Sequence, residues 1–170
     1  MTGKYELLID GRPMLDKPYH LKGVGLPNVY LLNGVTFEND PNYGKLVTIE
    51  KVNELHTVIG RCVVLKQEEL TGDEMRFLRK QIGMTQVELA KLLRVTSQTV
   101  ANYEKGKTEK GPADMAMRMI YLANTVEDED VADDCMRIAS KLTKGNETER
   151  KALRKRAGHW SGTDNCNHAH

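Results

Sequence analysis

The chain has 170 residues, of which 39% are hydrophobic and 29% are charged, and its formal net charge is +1 at pH 7. These values are ordinary for a soluble globular protein with one large or two small domains. No run of about 18 apolar residues occurs, which excludes a transmembrane helix. The opening residues also lack the basic start and apolar run of a signal peptide. We therefore expect a cytoplasmic protein with no membrane partner.

Residues 1–50 contain short apolar runs separated by glycine, proline and asparagine, a composition typical of strands and turns. Asn33-Gly34 lies between two of these runs. That pair predicts a tight hairpin, because a type I′ turn needs positive φ at both central residues. We expect a small antiparallel sheet, which buries little by itself and must pack against a neighbouring element.

Residues 52–65 provide that neighbour, because their apolar positions have helical spacing. These positions are Val52, Leu55, Ile59, Cys62 and Val63. The end of the segment, residues 63–65, could instead form a short strand. His56 on this helix is expected to be an ordinary surface or core histidine rather than a ligand.

Capping boxes of the T-x-x-E kind predict the starts of the next two helices. Thr71 and Glu74 form the first box, ahead of a helix that ends at Gly83, and Thr85 and Glu88 form the second.

Two short helices joined by a tight turn are predicted within residues 84–106, MTQVELAKLLRVTSQTVANYEKG. Leu89, Leu92 and Leu93 follow helical spacing, and apolar residues continue it after the turn, so both helices share one small core. Only a few residues remain for the turn, which makes the helices cross steeply in a helix-turn-helix.

The second of these helices, capped by Thr96 or Ser97, carries polar side chains suited to DNA. Gln98 and Asn102 have amides that can pair with the N6 and N7 edge of adenine. The Ser97 hydroxyl can bind a base edge or a phosphate. The alternative is that these residues only keep an exposed face soluble.

Charge is segregated along the chain even though its sum is near zero. Eight basic residues lie in or beside the helix-turn-helix: Arg76, Arg79, Lys80, Lys91, Arg94, Lys105, Lys107 and Lys110. An acidic block follows at residues 127–134. A DNA-binding face requires such segregation, although solvated faces without a partner would look the same.

A helix opened by Gly111 and Pro112 comes next, because proline is tolerated in the first helical turn. Its apolar face is predicted to comprise Met115, Met119, Ile120 and Leu122, with Met117 and Tyr121 on the flanks. This methionine stripe suits either core packing or a dimer surface. A last helix is expected from Val126 onward.

The tail from residue 145 is polar and basic, and we expect it to be flexible, with at most one helical turn in ERKALRKRA. We expect Trp160 in this tail either to bind a partner or to make no contact. Four residues of metal-binding type end the chain: His159, Cys166, His168 and His170. Their spacing fits no standard zinc site, so we expect no metal and no cofactor.

Three cysteines, Cys62, Cys135 and Cys166, are odd in number and widely spaced, and no C-x-x-C pair occurs. This spacing predicts neither a disulfide scaffold nor a zinc knuckle.

Residues 71–122 resemble the XRE family of DNA-binding domains, the lambda-repressor-like class. The stretch LTGDEMRFLRKQIGMTQVELAKLLRVTSQTVANYEKG matches that family's first three helices and closing turn without gaps. The resemblance implies base readout by Ser97, Gln98 and Asn102 on the third helix. It also implies that Glu104 is an acidic residue that braces the turn.

The resemblance also implies contacts with DNA phosphates. The residues expected to make them are Arg79, Thr85, Gln86, Arg94, Thr96, Thr99, Lys105 and Lys107. Arg94 stands at a turn position where the family often has glycine, and a left-handed backbone is costly for arginine. The turn therefore differs locally, or Arg94 adds a phosphate contact.

The N-terminal part is similar to a subgroup of XRE regulators near the MqsA-type antitoxins. The similarity lies in a Leu-Asn-Gly turn, a short helix with Leu-His, and the run L-T-G-x-E-x-R-F-L-R-K. Those antitoxins carry an N-terminal zinc-binding domain with paired C-x-x-C motifs, which this chain lacks. The resemblance implies a toxin as an alternative partner.

No glycine-rich phosphate loop, G-x-S-x-G elbow or H-E-x-x-H motif occurs, so we do not expect an enzyme. We expect an α+β fold with a β-rich domain for dimerisation or partner binding (1–68), a helix-turn-helix domain (69–124), a C-terminal helix (125–144) and a flexible basic tail (145–170). The expected function is that of a homodimeric repressor on a palindromic operator in double-stranded DNA. Two alternatives are an antitoxin that binds a toxin and represses its own operon, and a protein-interaction or ligand-sensing module whose helix-turn-helix has lost DNA binding.

Overall fold

The computed structural model describes residues 8–9, 12–13, 15, 17–125, 151–156 and 158–162. Short strands come first, five helices follow, and two further strands end the described chain, so the fold is mixed α+β as predicted. The strands are β1 (Leu8–Ile9), β2 (Arg12–Pro13), β3 (Tyr19–His20), β4 (Val29–Leu31), β5 (Val35–Asp40), β6 (Gly44–Ile49), β7 (Lys151–Arg156) and β8 (His159–Gly162). The helices are α1 (Val52–Val64), α2 (Gly72–Gln81), α3 (Gln86–Leu93), α4 (Ser97–Glu104) and α5 (Pro112–Thr125).

The main sheet has the strand order β3-β4-β7-β8 and joins the two ends of the chain. β3 and β4 are antiparallel, β4 and β7 are parallel, and β7 and β8 are antiparallel. The parallel pair places Leu31 opposite Leu153, and both side chains are buried. The small antiparallel sheet that was predicted is therefore extended by a parallel strand from the far end of the chain.

The predicted flexible tail is wrong for residues 151–156 and 158–162, which form β7 and β8 instead of a helical turn. Burial of apolar side chains gives the reason. Trp160 is only 4% exposed, and its Nε1 donates to the Glu50 carbonyl oxygen at 2.9 Å. Trp160 therefore docks on the protein itself.

The predicted hairpin at Asn33-Gly34 is also wrong, because the flanking strands β4 and β5 belong to different sheets. Only Gly34 of the pair has a positive φ, +70°, whereas a type I′ turn needs two. The Asn33 side chain instead pairs with the backbone of Lys155: Nδ2 donates to its carbonyl oxygen at 3.0 Å, and Oδ1 accepts from its N–H at 2.6 Å. Asn33 therefore binds Lys155, a residue distant in sequence, instead of forming a local hairpin turn.

The hairpin of this region is formed by β5 and β6, which pair from Val35↔Ile49 to Asp40↔Gly44. Its turn is held by the Asp40 carboxylate, whose Oδ1 accepts from the backbone N–H groups of Asn42 at 2.7 Å and Tyr43 at 2.9 Å. Aspartate stabilises turns in this way.

One continuous core joins the sheet to the helices. The buried side chains of α1, α2 and α5 include Leu55, Ile59, Val63, Met75, Leu78, Met117, Tyr121 and Leu122. The helix predicted over residues 52–65 is confirmed as α1, and the alternative strand at its end is not formed.

On α3 and α5, the residues that are buried differ from those that the sequence predicts to be buried. Leu92 is 56% exposed, because the short helix α3 turns only one side towards its neighbours. On α5, Met119 is 40% exposed while Met117 and Tyr121 are buried. The buried side of α5 is rotated because Arg118, a residue that an apolar pattern places outside, lies fully inside.

Arg118 connects α5 to the last residue of α1 and to the segment that follows it. Its Nε donates to Asp114 Oδ2 at 2.9 Å, and its other nitrogens donate to the carbonyl oxygens of Val64, Lys66 and Glu68 at 2.8, 2.8 and 2.5 Å. A buried charge is tolerated when its hydrogen bonds are made in this way.

Cys62 on α1 is disulfide-bonded. The odd number of cysteines and their wide spacing did not predict this, because pairing depends on proximity in space. The predicted helix from Val126 lies outside the described residues. No helix of the described part is long and apolar enough to cross a membrane.

Candidate nucleic-acid interface

Threonine caps begin α2, α3 and α4, and they fix where each helix starts. Both predicted capping boxes are confirmed. For α3, the Thr85 hydroxyl accepts from the Glu88 N–H at 3.2 Å, while the Glu88 carboxylate accepts from the Thr85 N–H at 2.7 Å. For α4, Thr96 is the cap, and its hydroxyl accepts from the Thr99 N–H at 3.1 Å.

The turn between α3 and α4 keeps the left-handed conformation that a glycine would favour. Arg94 has φ 54° and ψ 41°, and its side chain is exposed. The expectation that this turn differs locally is therefore wrong, and the arginine carries the strain itself. Its charge lies at the surface beside the start of α4.

The outward side of α4 carries the amides predicted to bind bases. Ser97 and Gln98 are exposed and Asn102 is half-buried, whereas Val100 and Glu104 on the opposite side are buried. Gln98 Nε2 donates to Asn102 Oδ1 at 3.2 Å, one helical turn away. The two amides therefore form a pair at the surface, free of the core.

Glu104 at the end of α4 is bound by side chains from two other helices. Its carboxylate accepts from Arg79 Nε at 2.5 Å and Nη2 at 3.1 Å, from Gln86 Nε2 at 2.9 Å, and from Arg76 Nε at 3.4 Å. We call Arg76, Arg79, Gln86 and Glu104 the Glu104 cluster. It ties α2, α3 and α4 together and holds the orientation of α4.

The acidity of Glu104 follows from these contacts. Burial alone would raise the pKa of this carboxyl group, but the hydrogen bonds from Arg79 and Gln86, the positive charge of Arg79 and the hydrogen bond from Arg76 lower it below its ordinary value. Glu104 is therefore a carboxylate at neutral pH, although only 3% of the residue is exposed.

Arg79 and Gln86, both expected to contact phosphate, lie in the Glu104 cluster. All three nitrogens of the Arg79 guanidinium donate within the protein, because Nη1 also binds the Met84 carbonyl oxygen at 2.7 Å. The Arg79 side chain is only 10% exposed. Its position is better suited to holding α4 in place than to a direct phosphate contact.

The remaining predicted contacts lie around α4. Lys105 and Lys107 are exposed in the loop after the helix. The hydroxyls of Thr96 and Thr99 are 2.8 Å apart, and the Thr85 hydroxyl lies 2.8 Å from Glu88 Oε2. The three threonines therefore serve as caps or cap partners in the structure.

The sequence placed Arg76 among the basic residues of this region but did not predict its role, which is to bind both the carboxylate and the backbone of Glu104: its Nη2 donates to the Glu104 carbonyl oxygen at 3.0 Å. The signal that could have found it is the i, i+3 spacing of Arg76 and Arg79, which puts two cations on one side of α2. Close packing at this junction needs Gly72, since a Cβ there would lie 2.4 Å from the Glu104 carbonyl oxygen.

Metal-ligand geometry is not found in the described residues, where no group of three or more His, Cys, Asp or Glu side chains is suitably arranged. His159 binds the Glu54 carboxylate through Nδ1 at 2.7 Å. Cys166, His168 and His170 lie outside the described part of the chain.

Residues 75–116 match the family described as Helix-turn-helix, HTH_3. Neither the curated proteins nor the solved structures contain a significant match to the chain. The matched residues include the whole Glu104 cluster, the left-handed turn at Arg94 and all of α4. Residues 75–116 are therefore a helix-turn-helix domain of the XRE, lambda-repressor-like family, a domain that implies DNA as a partner.

Proposed function

We propose that this protein is a sequence-specific transcriptional regulator, a homodimeric repressor that works in the cytoplasm on an inverted-repeat operator. One observation carries the proposal: Gln98 and Asn102 form an accessible amide pair on a helix whose opposite side is held by the Glu104 cluster. A rigid helix with a polar outer row is the geometry that the major groove admits.

The amide pair supports a specific form of readout. One Gln98 N–H is used by Asn102, which leaves the Gln98 oxygen and its second N–H for the N6 and N7 positions of adenine. Asn102 then offers its own NH₂ group to an acceptor on a base edge. Ser97, exposed at the start of α4, binds an adjacent base or phosphate.

Phosphate binding is assigned to the exposed cations and to the helix starts around α4. Arg94, Lys105 and Lys107 supply charge on both flanks of the helix. Thr85, Thr96 and Thr99 lie at the N-terminal ends of α3 and α4, where helices favour anions. Arg79 and Gln86 act mainly by positioning Glu104 and thereby α4.

Two copies are proposed because one recognition helix covers only a few base pairs. A single mismatch costs roughly 1 to 3 kcal/mol, so selectivity within a genome normally needs two half-sites. The half-sites are expected about 34 Å apart, one turn of DNA, or a multiple of that distance.

Footprinting on the DNA upstream of the protein's own gene tests this proposal. We expect protection of two inverted half-sites on one side of the duplex, and loss of protection as salt is raised. Protection of a single site without symmetry would contradict the dimeric form. If the protein retarded no DNA at low salt, the proposal that it is a DNA-binding regulator would be wrong.

The antitoxin alternative is a separate proposal, supported by the resemblance of the N-terminal part and by its separation in sequence from the DNA-binding helices. It adds a toxin as a second partner. Copurification of a small protein encoded beside this one would support the antitoxin alternative. Purification of this protein in a stable form without any such partner would count against it.

A further inference from the structure

The hairpin of β5 and β6 is largely exposed to solvent. Residues 36–39 of β5 are all exposed, and Phe37, Leu46 and Val47 are 41%, 40% and 39% exposed. A two-stranded hairpin is at best marginally stable when water covers it, and three or more strands with an apolar face are normally needed. Additional strands paired with this hairpin would therefore stabilise it.

The outer edge of β5 is open to pairing. Among the described residues β5 is hydrogen-bonded to β6 alone, in a regular register without a bulge. Natural edge strands are commonly blunted by lysine or proline. β6 carries Lys45, whereas β5, with the sequence VTFEND, contains no lysine, arginine or proline.

We propose that β5 pairs antiparallel with β5 of a second copy of this chain, centred on Phe37, to give a four-stranded sheet in the order β6-β5-β5-β6. The choice of a second copy rests on the proposed function in one respect, since two operator half-sites require two recognition helices. The sequence alone does not identify the element that forms the dimer, and we assign that role to β5.

Among the ways in which β5 can pair antiparallel with its own copy, the charges favour this register. Centring on Phe37 places Thr36 opposite Glu38 of the partner subunit, so that no carboxylates face each other. Centring on Glu38 would place two glutamates directly opposite, and centring on Asn39 would place Glu38 opposite Asp40 of the partner subunit. Like charges in such positions are destabilising, and two acidic residues on one strand also disfavour DNA as its partner.

The apolar residues favour the same register. Phe37 lies directly across from Val47 within the hairpin, so the two occupy the same face of the ribbon. Joining two copies at Phe37 produces one unbroken row across four strands, Val47-Phe37-Phe37-Val47. Aromatic and β-branched neighbours on one face stabilise sheets.

Opposite charges placed at Thr36 test the antiparallel β5-β5 interface directly. Thr36→Glu puts two carboxylate pairs across the interface and should weaken the dimer, whereas Thr36→Lys creates two opposite-charge pairs and should tighten it. Each cross-strand pair contributes about 0.2 to 1 kcal/mol, so the dimer dissociation constant should change by about two- to thirtyfold in opposite directions. Sedimentation of the full chain over a dilution series measures it.

The chain offers a matched control. Thr48 pairs with Thr36 across the hairpin and is likewise exposed, but it lies on β6, away from the proposed interface. Thr48→Glu should leave the dissociation constant unchanged, and circular dichroism should show all three variants folded.

The proposal is overturned if the wild-type chain stays monomeric, if Thr36→Glu and Thr36→Lys change the constant in the same direction or not at all, or if Thr48→Glu has an equal effect. DNA retardation is measured on the same samples. Intact binding of an inverted repeat with indifferent Thr36 variants would defeat this interface alone. Loss of all DNA binding in the wild type would defeat the proposed function.

Discussion

Glu104 shows how a single buried carboxylate can hold the orientation of a short helix, α4. Three side chains from α2 and α3 donate to it, while the opposite side of α4 carries the hydrogen-bonded amide pair of Gln98 and Asn102 at the surface. The resemblance to the XRE family predicted that Glu104 braces the turn. The direct partners could not be read from the sequence, because they come from two other helices.

Replacing Glu104 with glutamine should destabilise the protein and change its response to acid. Breaking a buried ion pair costs about 3 to 5 kcal/mol. The folded pKa of Glu104 lies below its ordinary value of 4.5, so its contribution is complete above pH 4.5 and disappears as pH falls through the folded pKa. The stability difference between the wild type and Glu104→Gln should therefore shrink below pH 4.5.

Urea unfolding at several pH values measures this difference. Glu109→Gln, a change in an exposed loop residue, is the control and should behave like the wild type at every pH. A difference that stays constant into acid would contradict the role given to Glu104.

Arg94 carries backbone strain that a glycine would not. A left-handed conformation costs an ordinary residue roughly 1 to 2 kcal/mol, part of which glycine recovers. Arg94→Gly should therefore raise the free energy of unfolding by about 1 kcal/mol, while Lys91→Gly inside α3 should lower it by about the same amount. If Arg94 binds phosphate, Arg94→Gly will also flatten the salt dependence of DNA binding.

Urea denaturation of both variants provides the comparison. A loss of stability in Arg94→Gly would show that the arginine side chain contributes more than its backbone conformation costs.

At the scale of whole elements, local signals were sufficient for helices and insufficient for strands. Thr71, Thr85 and Thr96 mark helix starts within a few residues, and the structure confirms all three caps. The pairing of β4 with β7 joins distant parts of the chain. Asn33-Gly34 looks like a local turn, yet Asn33 is bound to Lys155, a contact that no short-range pattern contains.

Trp160 provides the element-scale prediction. Its ring packs against Gly34, where a Cβ would lie 2.8 Å from the indole, and its N–H binds Glu50. Trp160→Ala should lower the free energy of unfolding by about 3 to 5 kcal/mol, because it removes a buried aromatic side chain. A flexible tail would give no effect.

Chemical denaturation tests this prediction, with Tyr43→Ala as the control. Tyr43 is 82% exposed at the turn of β5 and β6, and its removal should change stability little. Equal stability of Trp160→Ala and the wild type would contradict the docking of β8 on the protein.

At the scale of the whole molecule, one core connects the N-terminal sheet to the helix-turn-helix. Arg118 reinforces this connection through carbonyl oxygens of the segment after α1. The overall α+β class and the helix-turn-helix were predictable from composition, spacing and caps. The rotation of α5 was not, because a buried arginine with satisfied hydrogen bonds has no signature in an apolar pattern.

We propose that α4 reads base pairs through Gln98 while the surrounding cations bind the DNA backbone. Lys107→Ala should weaken binding to all sequences alike and reduce the salt slope by about one, since lysine contacts with phosphate carry no sequence information. Gln98→Ala should instead remove about 1 to 3 kcal/mol of discrimination at one base pair of each half-site.

Binding titrations of the wild type and these two variants against the protected half-site and its single-base substitutions measure both effects together. We expect Gln98→Ala, and not Lys107→Ala, to flatten the preference at one position of each half-site. Full discrimination retained by Gln98→Ala at every position would contradict readout by this helix.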